Sequence, residues 1–219
     1  MPDHRQKSRA KQKKKRAGTG RAAVSYTSPS VIGQAEKQLA AQLPAMPLGP
    51  CFITRGWQSP SQPRLQCMLV TRYIDESTVV PAAILVDLGC EGVRDAYFAR
   101  PTPVDGLPEL LTMMQRMFPR GFEEVSPERA SAIVEQAIKY AAEIGLEVPA
   151  KAKPVLGVLS EEREAGFEVE MGRKGKPLYA PQPGEDTKAM VIRLVKAVGP
   201  DGFTVELPPK DPPEGDSKA

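Results

Sequence analysis

One stretch of the sequence places acidic and thiol side chains among strand-forming residues. Residues 85–98, LVDLGCEGVRDAYF, contain Asp87, Cys90 and Asp95. Two carboxylates that converge in a cleft could share general acid and base work, or could hold Mg²⁺ through their oxygens. Asp87 and Asp95 are therefore the candidate catalytic pair, and Cys90 is a weaker candidate nucleophile.

A structural interpretation of this stretch is favoured over the catalytic one. Asp87 would end a strand and cap a turn, which Gly89 and Gly92 would permit. Asp95 would pair with Arg94 or with another basic residue. The spacing of the two aspartates alone is weak support for an active site.

Histidine and cysteine content limits the chemistry further. The single histidine, His4, lies near the start of the chain, so we expect no imidazole base or metal ligand in the folded body. The chain has three cysteines, Cys51, Cys67 and Cys90, and none of them forms a Cys-x-x-Cys pair. Both the odd number and the missing pair argue against a disulfide framework and a zinc site. We expect three reduced core thiols, no metal and no cofactor.

Charge is divided between the start of the chain and the rest. Residues 1–21 carry a net charge of +8, and because the whole chain carries +3, residues 22–219 carry −5. Such a basic segment, rich in small and polar residues, suits phosphate neutralisation by counterion release, so RNA or the ribosome is a candidate partner. An acidic protein, a lipid, or no partner at all are the alternatives. The nine candidate contacts are Arg5, Lys7, Arg9, Lys11, Lys13, Lys14, Lys15, Arg16 and Arg21.

A second, weaker basic site lies further along the chain. Residues 172–179, GRKGKPLY, bring Arg173, Lys174 and Lys176 onto one turn, where they could contact phosphate. The P-loop pattern is missing, so nucleotide binding is not indicated. The solvated tip of a hairpin, with strands at 167–171 and 177–179, is the favoured interpretation.

The apolar segments predict the strands that position these residues. Strands are expected over residues 51–57, 65–74, 79–88 and 93–99. Their short connections favour an antiparallel meander, because parallel strands need longer crossovers.

Helices are expected after the meander. One apolar stripe runs from Leu107 to Met117, and a stronger one follows Ser126, a good N-cap, and ends at Gly145. Residues 187–198 are predicted to form a third helix, capped by Asp186 or Thr187. Met113 and its neighbouring methionines could offer an adaptable groove to a partner, although core packing is favoured.

The predicted fold class is α+β: an antiparallel meander sheet, followed by two or three packed helices and a small hairpin. Residues 1–21 are predicted to be a disordered basic tail, and 22–49 a linker rich in Pro and Ser with a short helix over 31–43. Residues 50–207 form a single domain, and 208–219 a disordered tail. No apolar run approaches a membrane span, and no secretory signal pattern is visible, so we expect the protein in the cytoplasm.

Three segments together resemble a family of uncharacterised bacterial proteins. They are residues 85–98, residues 140–149 (YAAEIGLEVP) and residues 172–179. The resemblance covers most of residues 50–200 and implies no activity, so no catalytic residue is carried over. Glu91 departs from the family pattern, which usually has a large apolar residue there, and the turn after Tyr73 lacks the usual glycine.

The leading functional hypothesis is a non-catalytic binding or adaptor protein whose basic tail contacts RNA or another polyanion. One alternative is a Mg-dependent phosphoester or nucleic-acid hydrolase that uses Asp87 and Asp95. The other is a regulatory protein that binds only proteins. The oligomeric state is left open.

Overall fold

The computed structural model of the protein describes residues 34–182 and 184–207. Their helices are α1 (Gln34–Gln42), α2 (Leu107–Met114), α3 (Pro127–Glu143) and α4 (Thr187–Val198), with 3₁₀ turns at Leu43–Ala45, Val104–Gly106 and Val155–Val158. Their strands are β1 (Cys51–Thr54), β2 (Leu65–Asp75), β3 (Thr78–Asp87), β4 (Gly92–Phe98), β5 (Thr102–Pro103), β6 (Phe122–Val125), β7 (Leu178–Tyr179) and β8 (Thr204–Val205). This is the predicted α+β class. The predicted tails at 1–21 and 208–219, with His4 and the nine basic candidates, lie outside the described residues.

The main sheet contains the predicted antiparallel meander. Its strand order is β4-β3-β2-β1-β6, and β5 pairs with β3 beyond the end of β4. All of these pairs are antiparallel, and the meander of β1 to β4 is confirmed. Strand β6, which was not predicted, pairs along the free side of β1, with Cys51 opposite Val125.

Both faces of the central strands are covered. Met68 and Ile84 point to a cluster that includes Ile133 of α3, while Cys67 and Ala83 point to a second cluster with α2. Successive side chains of a strand alternate between faces, so β2 and β3 must be apolar on both. This explains why their sequences read as nearly continuous apolar runs.

A proline is accommodated inside β3 by the geometry of its neighbours. Pro81 lies opposite Thr71 of β2, and its carbonyl accepts a bond from the Ala99 amide at 2.8 Å. Within a strand, the backbone nitrogen and carbonyl of one residue point to the same neighbouring strand. The nitrogen of Pro81 therefore points to the β4 side, where β4 has already ended at Phe98 and no ladder bond from an N–H is needed. The ladder with β2 is therefore left intact.

The helix signals in the sequence are confirmed for α3 and α4. The Ser126 hydroxyl accepts the Arg129 amide at 3.1 Å, and Gly145 ends α3 with φ of +73°. The Asp186 carboxylate accepts the Ala189 amide at 3.0 Å at the start of α4. Across the described part of the chain, no helix is long and apolar enough to span a membrane.

The predicted hairpin is wrong in its pairing. Arg173 and Lys176 do form a tight antiparallel bridge, but residues 167–171 contain no strand. Instead, β7 pairs in parallel with β8, with Leu178 opposite Thr204. Strand β8 lies about 25 residues after β7 in the sequence, so the turn residues next to β7 could not predict this pairing.

A buried arginine joins the segment before β1 to the rest of the fold. Arg72 is 5% exposed and donates to the carbonyls of Met46 at 2.7 Å, Val158 at 2.8 Å and Leu159 at 2.5 Å. Each acceptor lies at the end of a 3₁₀ turn, where carbonyls lack partners within the turn. We call these three contacts the Arg72 clamp. Leu43, which lies between α1 and Met46 in the sequence, is fully buried.

An irregular segment, residues 159–171, lies along α3. The Gln136 side chain donates to the Phe167 carbonyl and accepts from the Val169 amide, both at 2.9 Å. Its amide group thus makes the two backbone hydrogen bonds that a neighbouring strand would otherwise make. Trp57, which is 2% exposed, packs against the Phe167 ring with centroids 6.0 Å apart. This segment therefore covers part of the core without regular structure.

Candidate functional site: a buried acid–arginine cluster

Asp87 ends β3 in a buried turn. Its side chain is nearly inaccessible, at 3% exposure, and its Oδ1 accepts the amides of Gly89 and Cys90, the latter at 3.1 Å. Burial raises the pKa of Asp87, while these amides and the positive charges of Arg94 and Arg64 act in the opposite direction. The favoured structural interpretation, a strand end that caps its own turn, is what the hydrogen bonds describe.

Glu91 and Arg94 add charge to this turn. Glu91 Oε2 lies 3.2 Å from Arg94 Nη1, and the opposite guanidinium nitrogen pairs with Glu185, just before α4. The side chains of Glu91 and Arg94 are each 15% exposed. Burial raises the pKa of Glu91 to about 7, against the lowering effect of Arg94 and with a further rise from the Asp87 charge.

Arg64 brings a second guanidinium to the cluster from the residue before β2. It is 4% exposed, and it donates to the backbone carbonyls of Ser59, at 3.5 Å, and of Glu170. Its Nε is buried without a hydrogen-bond partner among the described residues. The positive charges of Arg64 and Arg94 thus lie near the buried carboxyl of Asp87, and Arg94 also lies near that of Glu91.

Tyr140 reaches the same region from α3. Its hydroxyl is buried and makes no hydrogen bond within the described ranges, and burial raises the pKa of Tyr140 to about 12. It adjoins Gly172, where an added Cβ would lie 2.8 Å from the Tyr140 oxygen and 2.1 Å from a backbone carbonyl. Gly172, with φ of +66°, is therefore required both by its conformation and by the close approach.

The three segments that carried the family resemblance meet at this turn. The Gly172 amide donates to the Leu88 carbonyl at 2.7 Å, and the Leu178 amide donates to the Gly89 carbonyl at 3.0 Å. The Tyr179 hydroxyl lies 3.3 Å from Glu185 Oε2. Residues separated widely in sequence thus build one polar cluster next to a small apolar core, which includes Cys90.

Asp95 belongs to a different environment from Asp87. Asp95 Oδ2 pairs with Lys151 Nζ at 2.9 Å, and its other oxygen accepts the Ala96 amide. The structure therefore gives the two candidate carboxylates separate partners. Over residues 34–182 and 184–207, no group of three or more His, Cys, Asp or Glu side chains is placed to hold a metal ion.

The cysteines are buried thiols, as predicted. All three are free and fully buried. Burial raises the pKa of Cys51 to about 11, that of Cys67 to about 12, and that of Cys90 further still. Since the thiolate is the reactive form, Cys90 is poorly suited to act as a nucleophile near neutral pH.

The basic turn at residues 172–179 is partly committed to internal contacts. Arg173 pairs with Glu206 at 3.0 Å, and Lys176 donates to the Asp201 carbonyl at 2.7 Å. Lys174 is exposed at the tip, in a left-handed conformation with φ of 53°. Two of the three weak phosphate candidates thus hold the turn against the segment that contains β8.

Most of this cluster could not be predicted from the sequence. Arg64, Tyr140 and Glu185 lie far from Asp87 in sequence, so spacing could not connect them. One signal was visible: Glu91 and Arg94 have the spacing of an ion pair inside an apolar stretch.

Comparisons with protein-family models, curated proteins and solved structures give no match to the chain. The resemblance to an uncharacterised bacterial family stays a prediction.

Proposed function

We propose that the protein is a non-catalytic binding or adaptor protein, which attaches to RNA through the basic segment at residues 1–21. The division of charge carries this proposal: +8 over those residues against −5 over the remainder. Lys and Arg side chains that neutralise phosphates release counterions, and this gain is indifferent to base sequence. The acidic remainder makes the basic segment the favoured place for a polyanion to bind.

The body supports a binder more than a hydrolase. A metal-dependent hydrolase would need Asp87 and Asp95 at one site, and they have separate partners. The Asp87 carboxylate also accepts hydrogen bonds from the Gly89 and Cys90 amides of its own turn. Both facts favour the structural interpretation of this region.

A second candidate is a regulatory protein that binds only proteins. Met113 and Met117 are 44% and 47% exposed, beside the buried Met114. Flexible thioether side chains on a surface can repack against different partners. RNA binding that is lost with the basic segment would favour the first candidate over this one.

The RNA proposal is tested by the salt dependence of affinity. The full chain is titrated with a labelled single-stranded oligouridylate at several salt concentrations. It is compared with a variant in which the nine basic residues of segment 1–21 are replaced by Gln. The slope of log K against log salt should be as steep as about −6 for the natural chain, taking nine contacts at about 0.7 each, and near zero for the variant.

A matched control separates this segment from the other basic turn. Replacing Arg173, Lys174 and Lys176 by Gln should change the slope by no more than about 1, since only Lys174 is free of contacts among the described residues. Equal slopes for the natural chain and the nine-residue variant would refute the proposal.

A further inference from the structure

Helix α4 is apolar on more than one face. Leu194 is the helix's single fully buried residue, whereas Ile192, Val195 and Val198 are 46%, 39% and 38% exposed. A surface helix of a globular protein normally turns charged and polar residues to solvent and its apolar stripe to the core. The exposed side of α4 is therefore unusual for a free surface.

The inner side of α4 already has its partners. Met190, Val191 and Leu194 pack with Ile144 and Tyr179 in the small core beside the acid–arginine cluster. The outer side carries Lys188, Ile192 and Lys196, which recur every four residues and so form one row. We call this row, with Val195 and Arg193 beside it, the α4 face.

A shallow groove, open to solvent, runs between the end of α3 and the part of the α4 face that contains Ile192, Arg193 and Lys196. It has a volume of about 540 Å³ and is lined on one side by Glu143, Ile144 and Gly145. Its other side is formed by Ala189, Ile192, Arg193, Lys196 and Ala197. Arg193 spans the two sides, because its Nη1 donates to the Gly145 carbonyl at 2.8 Å.

The α4 face is positive although the body is acidic. Helix α4 has three basic residues and no acidic one, and Glu143 is the one acidic side chain that lines the groove. Lys188, Arg193 and Lys196 form no ion pair within the part of the chain that the structure describes. Residues 22–219 carry −5 overall, so the positive charge of α4 contrasts with the net charge of that part of the chain.

We propose that the α4 face binds an acidic amphipathic helix of a partner protein. Apolar side chains of that helix would cover Ile192 and Val195, and its carboxylates would meet Lys188 and Lys196. This inference rests on the adaptor function proposed above, because it names the surface through which the body would bind its protein partner.

Other occupants fit less well. A second copy related by a two-fold axis would bring the lysines of two α4 helices together, which costs energy. A membrane surface would favour an aromatic anchor, and the exposed apolar residues of α4, Ile192, Val195 and Val198, include none. RNA would leave the aliphatic side chains without a suitable partner.

The proposal is tested on the full chain with a fluorescein-labelled synthetic helix of Leu, Ala and Glu, with Leu at positions i, i+3, i+4 and i+7. The same peptide with Lys in place of Glu is the charge control. Amide NMR shifts locate the binding, and fluorescence anisotropy gives the affinity. We expect shifts confined to α4 and residues 143–145, in the natural chain and equally in the nine-residue Gln variant of segment 1–21.

Two pairs of substitutions examine the two halves of the proposal. Ile192→Gln with Val195→Gln, and Lys188→Glu with Lys196→Glu, should each weaken binding of the acidic peptide at least about tenfold. All four positions are solvent-exposed, so the fold should be unaffected. Ile74→Gln is the matched control, because its side chain is 45% exposed, like those of Ile192 and Val195, but lies near the end of β2, and it should change affinity less than about twofold.

The outcomes separate this proposal from RNA attachment. The α4 variants should keep the salt slope for oligouridylate, and the nine-residue variant should keep the shifts at α4. Equal affinity for the Glu and Lys peptides, or unchanged affinity in both α4 variants, would overturn the proposal. It would also be overturned if the α4 variants instead abolished self-association in sedimentation, or binding to phosphatidylglycerol vesicles.

Discussion

Two arginines with little exposure to solvent, Arg72 and Arg94, have opposite kinds of partner. Arg72 donates to three backbone carbonyls that carry no net charge, whereas Arg94 faces the carboxylates of Glu91 and Glu185. Carbonyl groups do not titrate near neutral pH, but a buried carboxyl does. The first arrangement fixes the position of chain segments, and the second makes the stability of the fold depend on pH.

The largest loss of stability is expected when the Arg72 clamp is removed. Arg72→Met keeps the aliphatic part but leaves the carbonyls of Met46, Val158 and Leu159 without donors in a buried site. The free energy of unfolding should fall by about 3–5 kcal/mol. Urea denaturation measures this, with Arg116→Met at an exposed position as the control. A loss below about 1 kcal/mol would mean that water replaces the guanidinium.

A smaller loss is expected at the turn of Asp87. Asp87→Ala removes the acceptor of two buried amides and should lower the free energy of unfolding by about 2–3 kcal/mol. Asp87→Asn keeps an acceptor oxygen and should lose less than half of that amount. Equal losses in urea denaturation of the two variants would show that the charge of Asp87, rather than its turn bonds, is what stabilises this region.

The pH dependence of stability distinguishes the two arginine sites most directly. The pKa of Glu91 is about 7 in the fold against an ordinary value of 4.5, so between these values the folded state binds more protons than the unfolded state. The stabilisation is complete below about pH 4.5 and is lost as the pH rises towards 7, at no more than about 1.4 kcal/mol per pH unit.

Glu91→Gln should flatten this decline, as measured by urea denaturation from pH 4.5 to 8. Arg72→Met should shift the whole profile down without changing its slope, because the groups that accept from Arg72 are uncharged. Parallel profiles for Glu91→Gln and the natural chain would contradict the contrast between the two sites.

The smallest effect is expected at a third arginine, Arg129, which is more exposed to solvent than the other two. Arg129 pairs with both carboxylate oxygens of Glu164 at 2.7 Å, but the two side chains are 38% and 32% exposed. Glu164→Gln should cost less than about 1 kcal/mol, and less again in 1 M salt. A loss as large as that at Arg72 would show that burial is not what separates these sites.

The sequence predicts local structure well where the signals are local. The four strands of the meander follow from apolar runs and short turns, and α3 follows from Ser126, its apolar stripe and Gly145. Strand β6 was missed because Glu123 and Glu124 interrupt a segment of four residues. Its partner β1 lies about 70 residues earlier, so its strand character depends on a long-range contact.

The candidate site was predicted less completely for a related reason. Asp87 was recognised as the end of a strand, but its surroundings depend on Arg64, Tyr140 and the segment near Glu185. These residues meet through the pairing of β7 with β8 and through the Gly172 and Leu178 amides. A sequence pattern names the charges, but only the fold determines which of them are buried together.

The contact between Trp57 and Phe167 allows intrinsic tryptophan fluorescence to monitor one part of the core. Trp57 is the single tryptophan of the chain and is 2% exposed, so its emission should come from one apolar environment. The irregular segment at 159–171 supplies one wall of that environment. Intrinsic fluorescence would therefore report the detachment of this segment in particular, and a red shift that precedes the loss of helical circular dichroism would identify it as the first part of the core to open.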